Sequence, residues 1–412
     1  MLVTAEVEGS RKPTLLFISP RFLFPADEGG KIRTSNILRQ MKGGHFHVTL
    51  ATPAPADIAP FRGDLGSVSD DLVTWPAAPY SRFRRMRALL DSRPVSAATD
   101  DSAGGRAAVA RALTGRPDVV VVDFPHAGVL VPGAVHCPTV LFTHNVETEI
   151  YQRHARLATG LMRLAWRDQA RKMSRFEQRT LGRFTRVIAV SGRDARALES
   201  RFGLDNVDTI DTGVDLDFFL PTPPPPQPAE DGGTIVFTGV MDSPANSEGI
   251  RFLMDRVWPA VLAVRPKARA LIVGRNPPPG LVAVAPPGWT YTGTVPDIRP
   301  YVASADLAVI PLHVGSGTRI KAFEAMAMGR PVVSTTIGVE GLDVRPGEHL
   351  LIADDAAGFA DAIVRLLGDE AFRQRLSQGA RVLLEERFSW AQVARQFEAI
   401  CGSALASGAR VA

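Results

Sequence analysis

Residues 315–333, GSGTRIKAFEAMAMGRPVV, bring two cations and a carboxylate close together. Thr318 is a plausible N-cap, and Gly329-Arg330-Pro331 is a stop signal, so the spacing predicts a helix over 318–328. Arg319 and Lys321 then lie at the helix N-terminus, where the macrodipole disfavours positive charge. A bound phosphate group reverses that balance. Gly315 and Gly317 let the backbone approach a ligand, Ser316 and Thr318 add hydroxyls, and free helix N–H groups bind anions. Arg can chelate phosphate oxygens in a fork, and Lys acts as a point charge. Glu324, one turn deeper, cannot serve a phosphate but can accept hydrogen bonds from sugar hydroxyls. The plain alternative is a solvated helix start in which Glu324 pairs with Lys321.

Other residues fit for chemistry also follow apolar runs. His144, in THNVETE (143–149), suits hydrogen bonding to a reacting group, with Asn145 and Glu147 behind it. Asp123 and His126, in VVDFPHAG, follow another strand and are further site candidates beside Asn145 and Glu147. Gly29 and Gly30 in SPRFLFPADEGGKIRTSN (19–36) suggest a loop that approaches phosphates, with Lys31 or Arg33 adding charge. This is no G-x-G-x-x-G fingerprint, and a plain loop is the alternative.

These residues need elements to hold them. Runs such as TLLFIS, HVTLAT, VVVVDF, TVLFTH and RVIAVS in the first half, and TIVFTG, RALIVG, LAVIPL and PVVSTT in the second, suit strands buried on both faces. Their alternation with amphipathic segments predicts an α/β chain of two Rossmann-like parallel-sheet domains facing across a cleft. The proline cluster at 220–233 reads as the linker between a first domain, 1–219, and a second, 234–387; the alternative is a long surface loop.

Formal net charge is +4, from 47 basic and 43 acidic residues, too small an excess to indicate nucleic-acid binding. Two cysteines and eight scattered histidines make a disulfide framework or zinc site unexpected. With no secretory pattern at the start and no apolar run of about 18 residues, the expected location is cytoplasmic, in solution or on the inner membrane face.

The stretch GSGTRIKAFEAMAMGRPVVST, with TGTVPDIRPYVASADLAVIPL (292–312) upstream and GVEGLDVRPGEHLLIAD (338–354) downstream, resembles retaining glycosyltransferases of family 4 and their group 1 relatives, of GT-B fold. HNVE (144–147), VIAVSGRD (187–194) and GVDLDFF (213–219) extend the resemblance over almost the whole chain. It implies metal-independent transfer of a sugar from a nucleotide diphosphate sugar, without a cofactor, to an acceptor for which a lipid-linked sugar is one candidate. Polysaccharide or glycolipid assembly is the implied setting. The family's common motif has two glutamates; Glu324 matches the ribose-binding one, and Ser316 replaces the other, which leaves the donor sugar open. The usual Arg and Lys after the first strand of the donor domain are missing from TGVMDSPANSEGIRF (238–252), so Arg319 and Lys321 take over phosphate binding in this reading. Gly239, Met241, Asp242 and Asn246 are expected to line the donor site, although an ordinary turn would use similar residues. Val295 is the candidate for holding the nucleobase edge, with Gly274 and Arg275 nearby. His144 is implied to contact the donor sugar, Gly29 and Gly30 to approach the donor phosphates, and Asp123, His126, Asn145 and Glu147 to be acceptor-side candidates, with 1–219 as the acceptor domain and 234–387 as the donor domain. A noncatalytic sugar-nucleotide-binding scaffold and a nucleotide-sugar epimerase are the competing readings.

Residues 151–186 contain ten basic and two acidic residues, and Arg163, Arg167, Arg171, Arg175, Arg179 and Arg183 recur every four positions. Met162, Trp166, Ala170, Met173, Phe176 and Phe184 are read as the opposite, apolar side. RFRRMR (82–87) adds a second basic cluster. Peripheral contact with an anionic membrane and a core-packed helix with a solvated cationic face are both open here. The last segment, 388–412, is amphipathic; the resemblance implies that it returns to the first domain.

Overall fold

The computed structural model of the protein describes residues 11–77, 81–223, 232–314 and 320–408. The chain forms two compact units, Met1–Asp211 with Val393–Ala412, and Thr212–Gln392.

The first unit is built on strands β1 (Thr14–Ile18), β2 (His47–Ala54), β3 (Asp71–Pro76), β4 (Val119–Asp123), β5 (Thr139–Phe142), β6 (Arg186–Ala189) and β7 (Val207–Thr209). They pair in parallel in the order β3-β2-β1-β4-β5-β6-β7. The second unit has β8 (Gly232–Thr238), β9 (Lys267–Val273), β10 (Trp289–Gly293), β11 (Leu307–Ile310), β12 (Val332–Ser334) and β13 (Leu351–Ile352). These are also parallel, in the order β10-β9-β8-β11-β12-β13. All of β4, from Val119 to Asp123, is buried, as a strand covered on both faces by helices must be. Strand order reverses between β1 and β4 and again between β8 and β11. In open parallel sheets ligands bind beyond the carboxyl ends of the strands at such a reversal.

Three strands escape the reading of apolar runs. β3 contains Asp71 and Pro76, and β7 and β13 are only three and two residues long. All three are sheet edges, where one backbone side lacks a partner strand and continuous apolar sequence is not required. The arginine-rich segment is not one helix. It divides into Glu147–Leu157 and Gly160–Leu181, with Gly160 at φ +55°, a conformation that costs glycine little. Met162 is 59% exposed, contrary to its reading as a core-side residue, because the first turns of the second helix project beyond the packed core. The predicted helix 318–328 is described as Ile320–Ala327, followed by Gly329 at φ +74°. Residues 224–231 of the proline-rich stretch lie outside the described residues.

The final helix, Trp390–Gly408, belongs to the first unit from Val393 onward. Phe397 is fully buried, with ring centroids 6.4 Å from Phe17 and 5.2 Å from Phe142. Phe397→Ala is expected to reduce stability by about 3–5 kcal/mol, through lost transfer energy and a residual cavity. Urea unfolding of the whole chain measures this.

Candidate active site

In the first unit, the chain ends beyond β1, β4 and β5 converge with the Gly29–Met41 helix. Asp123 closes β4 and is 1% exposed. One carboxylate oxygen is 2.6 Å from His144 Nε2. The other accepts from the Ser19 hydroxyl at 3.2 Å and the Thr34 hydroxyl at 3.1 Å. Arg33 Nη1 lies 3.2 Å from His144 Nδ1. A guanidinium only donates, so Nδ1 must be the acceptor. The proton then sits on Nε2 and is donated to Asp123, which fixes His144 as a neutral imidazole. Burial lowers the His144 pKa below 6.5, outweighing the nearby Asp123 carboxylate. Burial also brings Arg33 down to about 10, against the charges of Asp194 and Asp123.

Aromatic packing holds this network. Phe124 stacks on His144 at 4.1 Å and on His126 at 5.2 Å. Phe124 adopts φ +67°, a conformation that costs a bulky residue about 1–3 kcal/mol and therefore needs support from its surroundings. Gly30 supplies part of that support: a Cβ there would lie 2.7 Å from Phe124 Cζ. Its bareness thus serves the ring, while Gly29 has open space around its Cβ position. Arg33 also departs from its expected role in donor charge, since it is buried and bonded to His144. Lys31 pairs with Asp27 at 3.0 Å.

His126 Nδ1 lies 2.5 Å from Asp100. Burial opposes its protonation, but the hydrogen bond and charge of Asp100, with Glu147, raise its pKa overall. Asn145 is partly buried beside His144 in the chain. Burial raises the Glu147 pKa, against the charges of His126 and Arg21. Sequence reasoning missed Glu177, on the arginine-rich helix. Its carboxylate accepts the backbone N–H groups of Glu147 at 2.9 Å and Thr148 at 2.8 Å, and the Thr148 hydroxyl. It caps the helix that follows His144. Full burial pushes its pKa up to about 7.

The second unit gathers residues from the ends of β8, β9 and β11. Lys321 Nζ donates to Asn246 Oδ1 at 3.1 Å and lies 4.4 Å from the Phe237 ring centre. Asn246 in turn donates to the Val240 carbonyl at 2.8 Å. A Cβ on Gly239 would fall 3.2 Å from that Lys321 nitrogen, and a Cβ on Gly274 only 1.7 Å from the Gly239 carbonyl oxygen. Two bare backbones thus meet beside one ammonium group. Asp242 accepts from Asn276, unmentioned by the sequence reading, at 3.0 Å. Met241 N–H donates to the Arg275 carbonyl at 2.9 Å, linking the two loops. Val295 packs, partly buried, on this unit's core. Glu324 is partly buried, and its carboxylate accepts no hydrogen bond among the described residues. Burial raises its pKa to about 7, even with the opposing charge of Lys321. Gly315, Ser316, Gly317, Thr318 and Arg319 lie outside the described residues. Among the described residues, no group of three His, Cys, Asp or Glu side chains could hold a metal ion.

Two outcomes follow from this geometry. In a pH titration followed by NMR, His126 should protonate above the ordinary value of 6.5 and His144 below it, with the His144 proton on Nε2. Gly274→Ala should cost about 3 kcal/mol or more in a denaturant melt, because its Cβ has no space and the backbone is at φ +146°.

Residues 28–218 match the family described as Glycosyltransferase Family 4, and residues 232–369 match Glycosyl transferases group 1. Phosphatidyl-myo-inositol mannosyltransferase of Mycobacterium leprae is 32% identical over 232 residues, covering 54% of this chain and 60% of that protein. D-inositol 3-phosphate glycosyltransferase of a Nocardioides species is 30% identical over 244 residues, covering 51% and 52%. The chain thus spans 52–60% of the length of these two curated relatives. Sucrose-phosphate synthase from Thermosynechococcus elongatus matches in fold with a TM-score of 0.68 at 20% identity, over 96% of this chain and 100% of that one. HepE of Anabaena, solved in complex with UDP, matches with a TM-score of 0.65 at 16% identity, over 95% and 100%. These structural likenesses speak for the fold, two parallel-sheet domains of GT-B type. Both halves of the chain thus match glycosyltransferase families, one over residues 28–218 and the other over residues 232–369.

Proposed function

We propose that the chain moves a sugar from a nucleotide diphosphate sugar to an acceptor hydroxyl with retention of configuration, without a metal or cofactor. The observation that carries this reading is Lys321, beyond β11 and beside the bare Gly239 backbone that meets Gly274, with Glu324 one turn further along the same helix. A cation next to closely approachable backbone suits a diphosphate. A partly buried carboxylate without a hydrogen-bond donor suits two ribose hydroxyls. The UDP bound by HepE supports a nucleotide ligand for this fold. The names of the curated relatives favour an inositol-bearing or glycolipid acceptor.

In the reaction, the bond from the anomeric carbon to the diphosphate oxygen breaks and a bond to the acceptor oxygen forms on the same face. The acceptor proton passes to a leaving phosphate oxygen. The diphosphate gains charge as it leaves, and Lys321 stabilises that charge; Arg319 shares the task in this reading. His144 enters as a neutral imidazole. Its Nδ1 can accept from a sugar hydroxyl only when Arg33 releases it, so Asp123 acts through the ring as a positioning group.

Glu324 sets the pH response. Its folded pKa of about 7 exceeds the unfolded 4.5, so the native state binds the extra proton between those values. The group's contribution to the stability of the unliganded protein therefore falls as pH rises through that window. Donor binding to the ionised form should strengthen over the same rise, and Glu324→Gln should flatten the dependence. The direct test is an NMR time course with UDP-, GDP-, ADP- and dTDP-sugars and inositol-containing acceptors. Retention with one donor, unaffected by a chelator and reduced about 100-fold or more by Lys321→Met, is expected. Inversion, or donor binding without transfer to any acceptor, would overturn the proposal and favour the scaffold reading.

A further inference from the structure

The hairpin of helices Glu147–Leu157 and Gly160–Leu181 carries a constellation that the transfer chemistry does not use. Arg156, Arg167, Arg171 and Arg175 line one recess, with Gln152 and Ser174 between them. Among the described residues none of the four guanidinium groups has an ion pair or hydrogen bond. The acids nearby are engaged elsewhere. Asp168 pairs with Lys172 at 2.8 Å, Glu149 with Arg193 at 3.0 Å, and Glu177 caps the neighbouring helix. Four uncompensated guanidinium groups around one recess repel each other, and an anion between them relieves that repulsion. The recess has firm walls: Trp166 stacks on His154 at 4.5 Å and meets Tyr151 edge-on at 5.7 Å, tying one helix to the other.

The same helix divides its apolar residues by position. Ala170, Met173 and Leu181 are buried in the unit, whereas Leu161, Met162 and Leu164 stand 84%, 59% and 59% exposed. Close by, Lys172 Nζ donates to the Leu89 carbonyl at 2.8 Å, joining the hairpin to a segment whose Phe83, Met86 and Leu90 are also exposed. Arg84, Arg85 and Arg87 lie among them. A free phosphate or a nucleic acid would need the arginines but not this exposed apolar surface. A bilayer with anionic headgroups uses both.

We infer that this face docks on an anionic phospholipid membrane. The arginine recess takes lipid phosphates, and Leu161 and Leu164 enter the boundary with the acyl chains. The inference rests on no part of the proposed transfer reaction. Vesicle flotation of the whole chain tests it, using phosphatidylglycerol–phosphatidylcholine vesicles against phosphatidylcholine alone. Binding to the anionic vesicles only, weakened by salt, is expected. Arg167→Gln with Arg171→Gln should reduce partitioning roughly thirtyfold. Leu161→Ser with Leu164→Ser should reduce it independently, while millimolar inorganic phosphate leaves the wild type bound. These are exposed positions, and a thermal melt confirms that each variant is folded. Equal binding to neutral vesicles, no binding by the folded wild type, or unchanged partitioning of both variants would overturn the inference. Release by inorganic phosphate, with the leucine variant behaving as wild type, would also overturn it and assign the recess to a soluble anion.

Discussion

One ammonium group organises the second unit's site. Lys321 lies against the Phe237 ring and donates to Asn246, so residues from β8, the helix that follows it and the helix after β11 share one fixed charge. That charge is useful only where backbone can come close. Gly239 and Gly274 provide the space, and their contact leaves no room for a Cβ at position 274. The parallel sheet supplies the rest, since its order reversal puts the ends of β8 and β11 side by side. A cation that would be misplaced on an isolated helix becomes sensible beside an anionic ligand.

The first unit solves a different problem at the same kind of sheet position. It keeps a buried carboxylate, imidazole and guanidinium together by giving each a defined donor or acceptor role. Removing any one would leave a buried polar partner unsatisfied, which costs more than the pair contributes. Phe124 carries the backbone strain of this arrangement, and Gly30 makes room for its ring. Glu177 extends the network to the arginine-rich helix by capping the chain after His144. The helix with the exposed basic face is thus also a structural support of the His144 loop.

Much of this was legible in the sequence where local pattern decides structure. Strands buried on both faces announce themselves as runs such as VVVVD, and Gly329 marks the end of its helix. The edge strands β3, β7 and β13 did not, because an edge tolerates polar and short sequences. Asp123, His144, Lys321 and Glu324 could be singled out as polar residues after strands. Ser19, Thr34 and Glu177 could not, since only the strand order and helix packing bring them to their partners. Arg33 and Gly30 could be noticed, but their roles depend on the imidazole and the Phe124 ring, which are distant in sequence. Met162 illustrates the same limit: helical periodicity gives its face, not how far the helix extends beyond the core.

The most direct test of the central claim is a crystal structure of the chain with the nucleoside diphosphate that most raises its melting temperature. The diphosphate oxygens should lie within hydrogen-bond distance of Lys321 Nζ and in van der Waals contact with the Gly239 backbone, with the ribose hydroxyls on Glu324. A nucleotide bound elsewhere, with no phosphate oxygen on Lys321, would contradict the account.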